Sequence, residues 1–498
     1  MTRLPFDPAG LQLDRAGGLS RQLYQALRAR MLDGRLASGV RMPASRELAS
    51  ALRISRNSVM RAYDQLYAEG FIEGRVGDGT YVSPLALDAV KQSTKSSTGL
   101  SPGLSTGLST DCPQKADAAG EVTLPALALP LPSAQPPKAF RVGVPAFDLF
   151  PFHTWSKLQA AYWRAPALAD LGYQHPAGDR QLRELIAAYL RSSRGLYCDA
   201  DQIVLTCGAQ QAVALCAQIL LQPGTCAAVE NPGYRAAGLA LANAGAQVQP
   251  VEVDAEGLCV EQLAALAGCQ LAYVTPAHQY PTGVTMSLAR RLALLEWAQR
   301  QNGWIIEDDY DGEYRYSGAP LAPLAALDRA GRVVYVGTFG KVAFPALRLG
   351  YLVLPPALVP AFVNASALAG RHLEVGTQKV MARFIADGHF QRHIRRMRKA
   401  ALARRNALIE HWPQAVAGCA PLPRVSAGLH LSVEVANAAR EAELVSRAAA
   451  AGVELNRLSA YRQGPAAPSR TGLVLGFASV NEGAIAEACK ALQIAWRR

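Results

Sequence analysis

Several features that would assign this chain to a familiar class are missing. None of its nine cysteines is spaced Cys-x-x-Cys, and they scatter from Cys112 to Cys489. That excludes a zinc ribbon and argues against a secreted disulfide framework. No apolar run approaches the roughly 18 residues of a membrane helix; Arg348 and several prolines interrupt the best candidate, around 347–363. Met1-Thr-Arg-Leu-Pro leads into no signal-peptide core. Charged residues are also scarce, at 18%, yet Lys and Arg number 51 against 39 acids, a net charge of +12. The expectation is a basic, cytoplasmic protein with a polyanionic partner. At about 150 residues per domain, 498 residues make about three folded units.

Composition divides the chain. Lys91–Pro137 has no apolar periodicity: a Ser/Thr/Gly-rich first half carries an imperfect Leu-Ser-Thr-Gly repeat, and an Ala/Pro-rich second half follows. Such a stretch reads as an interdomain linker, here 85–139, flexible and then stiffer. It separates a unit at 15–84 from one at 140–498. In the latter, apolar runs such as QIVLTC, QLAYVTP, WIIEDD and VVYVGTF alternate with amphipathic helices. That alternation predicts βαβ units and a mostly parallel α/β sheet.

In the first unit Leu19, Leu23, Leu27 and Met31 are spaced as one helix face, which Gly34 ends. A second helix is expected from Ser45 as N-cap, with Leu48, Ala49 and Leu52 inward. A third is capped by Ser55 and buries Val59, Ala62, Tyr63 and Leu66. Its leading turn and outer face carry Arg56, Asn57, Ser58 and Arg61. Residues 71–82 read as a hairpin that includes Arg75, Gly79 and Thr80. Three helices and a β wing make an α+β winged helix-turn-helix, with Arg56 and Asn57 at base edges and Ser45, Arg46 and Arg75 on phosphates. Through "MPASRELASALRISRNSVMRAYDQLYAEGFIEGRVGDGTYVS" this unit resembles the GntR-type winged-helix family. Its partner is then double-stranded operator DNA, although its own charge is modest: twelve arginines against eight acids up to residue 85.

In the second unit Lys341 follows an apolar strand, with Thr338 before it and Arg348 seven residues later. A desolvated lysine has a lowered pKa and suits Schiff-base chemistry, and the other two could hold a phosphate. Taken alone, such a lysine is more often a rim charge. Glu307, Asp308 and Asp309 end another strand, where a carboxylate can pair with a pyridinium nitrogen. Three acids could instead bind a metal, but no matching histidine cluster is visible, and no metal is expected. Leu205-Thr-Cys-Gly-Ala-Gln-Gln-Ala is a strand, a glycine turn and a helix start offering amides to an anion, and Tyr234 could stack on a flat ring.

Together these segments resemble fold-type I pyridoxal-phosphate enzymes of the aminotransferase class I/II family, from Tyr173-Gln-His-Pro-Ala-Gly to the end, with a smaller C-terminal α+β subdomain. The resemblance implies pyridoxal 5'-phosphate as cofactor. Lys341 would be its Schiff-base lysine, Asp308 the contact to the pyridine nitrogen, Tyr310 the contact to its phenolic oxygen and Tyr234 the stacking ring. Gly208, Ala209, Gln210, Thr338 and Arg348 would hold the phosphate, with Tyr173 contributed by a second subunit of a homodimer. A winged helix fused to such a domain resembles the MocR/GabR group of bacterial transcription regulators.

The sequence departs from the enzyme pattern in three places. Gly340 replaces a common serine. Tyr280 occupies the position of an asparagine that supports the cofactor oxygen. Val474 stands where amino-acid-handling relatives carry an arginine clamp for the substrate carboxylate; Arg235 and Arg470 are the candidates to replace it. The expectation is a regulator responsive to the cofactor, an amine or an amino acid, not an efficient enzyme; the alternative is an active aminotransferase with a DNA-binding appendage. Six Lys/Arg residues without an acid between His393 and Arg405 make either a solvated face or an auxiliary DNA contact. His389 and His393, without a nearby partner, suggest no metal.

Overall fold

The computed structural model describes residues 11, 13–14, 18–69, 71–75, 78–83, 135–316, 321–464 and 470–497. Most of the expected linker lies outside these residues. Two compact units divide at Glu121 and Val122.

In the first unit α1 (Leu19–Leu32), α2 (Ser45–Leu52) and α3 (Arg56–Ala68) precede a hairpin of β1 (Ile72–Arg75) and β2 (Gly79–Val82). The heptad-like spacing of Leu23, Leu27 and Met31 turns one face of α1 inward, and all three are fully buried. They meet Leu48, Val59, Leu66 and Val82 in one core. Each such side chain contributes about 1.5–3 kcal/mol by leaving water. Ser55 caps α3 as expected, its hydroxyl accepting from the Ser58 amide at 3.1 Å. Ser45 does not cap α2. Ala44 holds that place because the Glu47 carboxylate reaches back to accept from the Ala44 amide at 3.3 Å. Ser45 Oγ instead accepts from Arg56 Nε at 3.4 Å, linking α2 to the start of α3.

The second unit is built on an eight-stranded sheet. Its strands are β3 (Ile203–Thr206), β4 (Cys226–Asn231), β5 (Gln247–Asp254), β6 (Gly257–Leu258), β7 (Cys269–Val274), β8 (Trp304–Asp309), β9 (Val333–Thr338) and β10 (Gly350–Val353). They lie in the order β3-β10-β9-β8-β7-β4-β5-β6. Only β10 and β6 run against their neighbours, so the sheet is mostly parallel. Its inner strands are continuous apolar runs because helices cover both faces, and separate clusters of buried side chains form on the two sides. A smaller C-terminal sheet has the order β11-β13-β12, with β11 (His430–Glu434), β12 (Asn456–Arg457) and β13 (Gly472–Gly476). Phe140, fully buried, accepts from the Gly476 amide through its carbonyl at 3.1 Å and joins the entry of the unit to that sheet.

This topology positions the site. The carboxyl ends of β3, β7, β8 and β9 share one edge, and β10, being reversed, brings its amino end there too. Loops leaving such an edge are where open α/β sheets form their crevice.

Candidate functional site

A cavity of about 170 Å³ opens at that edge. Nine of the ten expected cofactor residues line it: Gly208, Ala209, Gln210, Tyr234, Asp308, Tyr310, Thr338, Lys341 and Arg348. Each arrives by a different route through the fold. Gly208 adopts φ +82°, which suits glycine and turns β3 into the helix Ala209–Leu220, whose first amides face the cavity region. Arg348 also takes a left-handed φ of +51°, and its guanidinium donates to the Cys207 carbonyl at 2.5 Å, which holds it against the Gly208 turn.

Lys341 Nζ donates to the Gly143 carbonyl at 2.7 Å, and burial lowers its pKa while Asp308 and Asp311 oppose the shift. Asp308 is 4% exposed. Its Oδ2 accepts from the Tyr273 hydroxyl at 2.7 Å, while Oδ1 is buried with no partner among the described residues. Burial pushes this carboxyl up to about 6. Tyr234 reaches Gln210 Oε1 at 3.3 Å, and desolvation pushes its phenol up to about 12. Tyr310 donates to the His278 carbonyl at 2.9 Å.

Four of the remaining residues sit otherwise. Tyr173 is 83% exposed, beneath the Arg371 guanidinium and beside His372, away from this cavity. Arg235 is exposed on the first turn of its helix and is not among the lining residues. Arg470 is engaged by the Glu434 carboxylate and the Val253 carbonyl and is not among the lining residues. Val474 is fully buried in β13. Sequence reasoning missed Tyr273 and Thr275, which line the cavity from β7 and the loop after it. Tyr273 lies within the apolar run QLAYVTP and reads there as core, and the β7–β8 pairing is what brings it to Asp308. It also missed a cluster of His278, Asp311 and His430, all buried, whose potential ligand atoms lie within 4.8 Å of one another. His278 Nδ1 is 2.9 Å from Asp311 and 3.1 Å from the Tyr310 hydroxyl, so this group braces the cavity wall.

On the first unit Arg46, Arg56, Asn57 and Arg61 are exposed, and Ser45, Ser55 and Ser58 stand at the starts of α2 and α3. Arg75 pairs with Gly79, and Gly74 with Thr80, in the hairpin. The basic helix, His389–His411, is more occupied than its composition suggests. Arg396 donates to the Leu149 carbonyl, Arg398 to that of Glu313, and buried Arg404 joins Asp148 and the Ala478 carbonyl. His389 lies beside Arg392, and His393 donates through Nε2 to the Val342 carbonyl at 2.6 Å.

The fold and these sites define a class: a winged-helix DNA-binding unit fused to a fold-type I aminotransferase-like unit. Residues 19–82 match the family described as bacterial regulatory proteins, gntR family, and residues 159–492 match aminotransferase class I and II. The chain is 35% identical to the probable rhizopine catabolism regulatory protein MocR of Rhizobium meliloti, over 96% of this chain and 94% of that protein. It is 30% identical to the HTH-type pyridoxine biosynthesis transcriptional regulator PdxR of Corynebacterium glutamicum, over 95% of each. The crystal structure of Pyrococcus horikoshii kynurenine aminotransferase, in complex with PMP, superposes with a TM-score of 0.66 at 29% identity, covering 72% of this chain and 90% of that one. The chain belongs to the MocR-type helix-turn-helix transcriptional regulators, which join a gntR domain to an aminotransferase class I and II domain. Among the described residues no helix is long and apolar enough to cross a membrane.

Proposed function

We propose that this regulator binds pyridoxal 5'-phosphate in the Lys341 cavity and that occupancy there alters its binding to operator DNA. The observation that carries the reading is the orphaned Oδ1 of Asp308, a buried carboxylate oxygen at a cavity lined also by a helix N-terminus, Arg348 and a desolvated lysine. A pyridinium N–H supplies the hydrogen bond and positive charge that Asp308 lacks. The amides of Gly208, Ala209 and Gln210, the Thr338 hydroxyl and the Arg348 guanidinium suit a phosphate. Tyr234 offers a ring face and Tyr310 a hydroxyl. When bound, the cofactor supplies an aldehyde carbon that captures primary amines.

Lys341 lowers the cost of that capture because burial favours its neutral amine. Val474 in place of a guanidinium favours sensing over turnover, since the carboxylate clamp of an amino-acid enzyme is missing. The exposed apolar residues Trp163, Leu168 and Leu171, beside exposed Tyr173, suit the contact face of a homodimer, with Tyr173 entering the partner's site. Arg56, Asn57 and Arg61 would meet base edges and Arg46 and Arg75 the backbone, with Gly79 and Thr80 on the wing.

The test is a DNA-binding titration with and without pyridoxal phosphate, using wild type and Lys341→Ala. The expected outcome is a cofactor-dependent change in affinity of wild type that the variant loses. Equal curves for wild type under both conditions refute the coupling. Conversion of common amino acids to keto acids at enzyme-like turnover refutes the sensor reading.

A further inference from the structure

Four rings gather edge-on around Tyr280, the residue that replaces the enzymes' asparagine. Their centroids lie at 5.7 Å for Tyr234, 5.7 Å for Tyr310, 5.4 Å for His430 and 5.4 Å for Tyr461. Burial raises the pKa of both phenols, and each also feels the hydroxyl of the other. Tyr461 belongs to a single turn, Leu458–Tyr461, that is fastened to the loop after β4. The Gly233 amide donates to the Tyr461 carbonyl at 3.0 Å, and the Gln463 amide donates to Asn231 Oδ1 at 3.2 Å. Tyr280 is fastened from the other side. Ser432 Oγ donates to the carbonyl of the next residue, Pro281, at 2.6 Å, and Ser432 is the register partner of Val474. The place of the missing arginine is therefore packed against the strand that holds the Tyr280 loop.

This arrangement determines what charge the cavity can accept. Among the described residues that line it, Lys341 and Arg348 are the only lysine and arginine, and the proposed cofactor engages both. His430 is buried and held well below its ordinary pKa by desolvation and by His278, so it stays neutral. A substrate carboxylate entering beside Tyr280 would be desolvated without a cation, which is costly. An apolar or aromatic body, or an ammonium, would instead meet ring faces and edges.

We infer that Tyr280 and Tyr461 are specificity-determining residues that admit a primary amine lacking a carboxylate beside its nitrogen and reject α-amino acids. The inference rests on the cofactor reading above. The matched probes are 2-phenylethylamine and L-phenylalanine, which differ only by that carboxylate. Full-length protein loaded with pyridoxal phosphate is titrated with each, reading the visible absorbance of the bound cofactor and the midpoint of operator binding. The amine is expected to act at a concentration at least about ten-fold lower than the amino acid. In Tyr280→Asn and Tyr461→Phe that ratio should shrink to within about three-fold. Tyr461→Phe removes one oxygen only and so tests that hydroxyl while keeping the ring contact with Tyr280. An L-phenylalanine response equal to that of the amine in wild type overturns the inference, as does an unchanged ratio in both variants. If wild type develops no visible band on adding pyridoxal phosphate, the cofactor reading itself falls, and this inference with it.

Discussion

Replacing Asp308 by asparagine separates the cost of its burial from its value to a ligand. The native carboxyl titrates at about 6 instead of 3.8 because it is desolvated. Between about pH 4 and 6 the native state then holds more protons than the unfolded chain, so stability falls as pH rises through that window and stays lower above it. Two pH units correspond to about 3 kcal/mol at about 1.4 kcal/mol each. Glu230 and Glu307, both pushed up to about 7 by burial, impose a slope of the same sign. Glu307 does so equally in wild type and variant, and Glu230 nearly so, since burial dominates its shift and the Asp308 charge adds the least, so the difference between the two proteins reports chiefly on Asp308.

Asparagine removes the ionisation but leaves amide hydrogens unpaired, at about 1–3 kcal/mol. Near pH 7.5 and without ligand the variant should therefore lie within about 2 kcal/mol of wild type, with a shallower pH slope between about 4 and 6. Pyridoxal phosphate should reverse that near-equality. At about 100 times its Kd it stabilises wild type by about 2.7 kcal/mol. Removing one partner of a buried charge pair costs about 3–5 kcal/mol, so the same concentration should leave the variant's midpoint almost unmoved. Urea denaturation followed by tryptophan fluorescence, at three pH values with and without the cofactor, reads all of this. A wild-type pH slope in the variant refutes the account of Asp308 burial. Equal stabilisation of both proteins by the cofactor refutes its pairing with the ring nitrogen.

Arg348→Ala should weaken pyridoxal phosphate by about 1.5–3 kcal/mol, the value of hydrogen bonds to a charged group, measured as a 10- to 100-fold rise in Kd by absorbance titration. Leu27→Ala, at a fully buried position in the core of the first unit, should cost about 2–5 kcal/mol. It should abolish operator binding while leaving the cofactor titration unchanged, because the second unit has its own cores. Arg46→Ala should lower operator affinity for all sequences alike and reduce the salt slope of log K by about 1. Charge reversal of Arg396 and Arg398 should leave that slope unchanged and lower thermal stability, since both side chains already serve the Leu149 and Glu313 carbonyls. A flatter slope would revive the second DNA contact.

Residues whose place in the fold follows from local chain chemistry were legible in the sequence. Leu23, Leu27 and Met31 declared a helix face by spacing. Gly208 and Lys341 stand just beyond apolar strands, where a parallel sheet must place its crevice whatever the strand order, although for the lysine that position alone fits a rim charge as well. What stayed hidden depends on pairing between distant strands. Tyr273 reads as a core aromatic until β7 is set beside β8, which joins its hydroxyl to Asp308. His278, Asp311 and His430 come from three separate segments, so no spacing rule finds them. Ser45 was misread for a different reason: two capping groups competed, and the Glu47 carboxylate satisfied the Ala44 amide, freeing the serine hydroxyl for Arg56. The basic helix shows the same limit from the side of charge. Six cations within thirteen residues look free in one dimension, yet the carbonyl oxygens of Leu149, Glu313 and Ala478 accept from three of them, because a long guanidinium side chain reaches such acceptors from a helix surface. Net charge therefore overstates what is available to a polyanion. On the proposed reading, the cations available to DNA are the exposed ones of α2 and α3, and the cation available to a phosphate is Arg348, which the Cys207 carbonyl holds at the Gly208 turn.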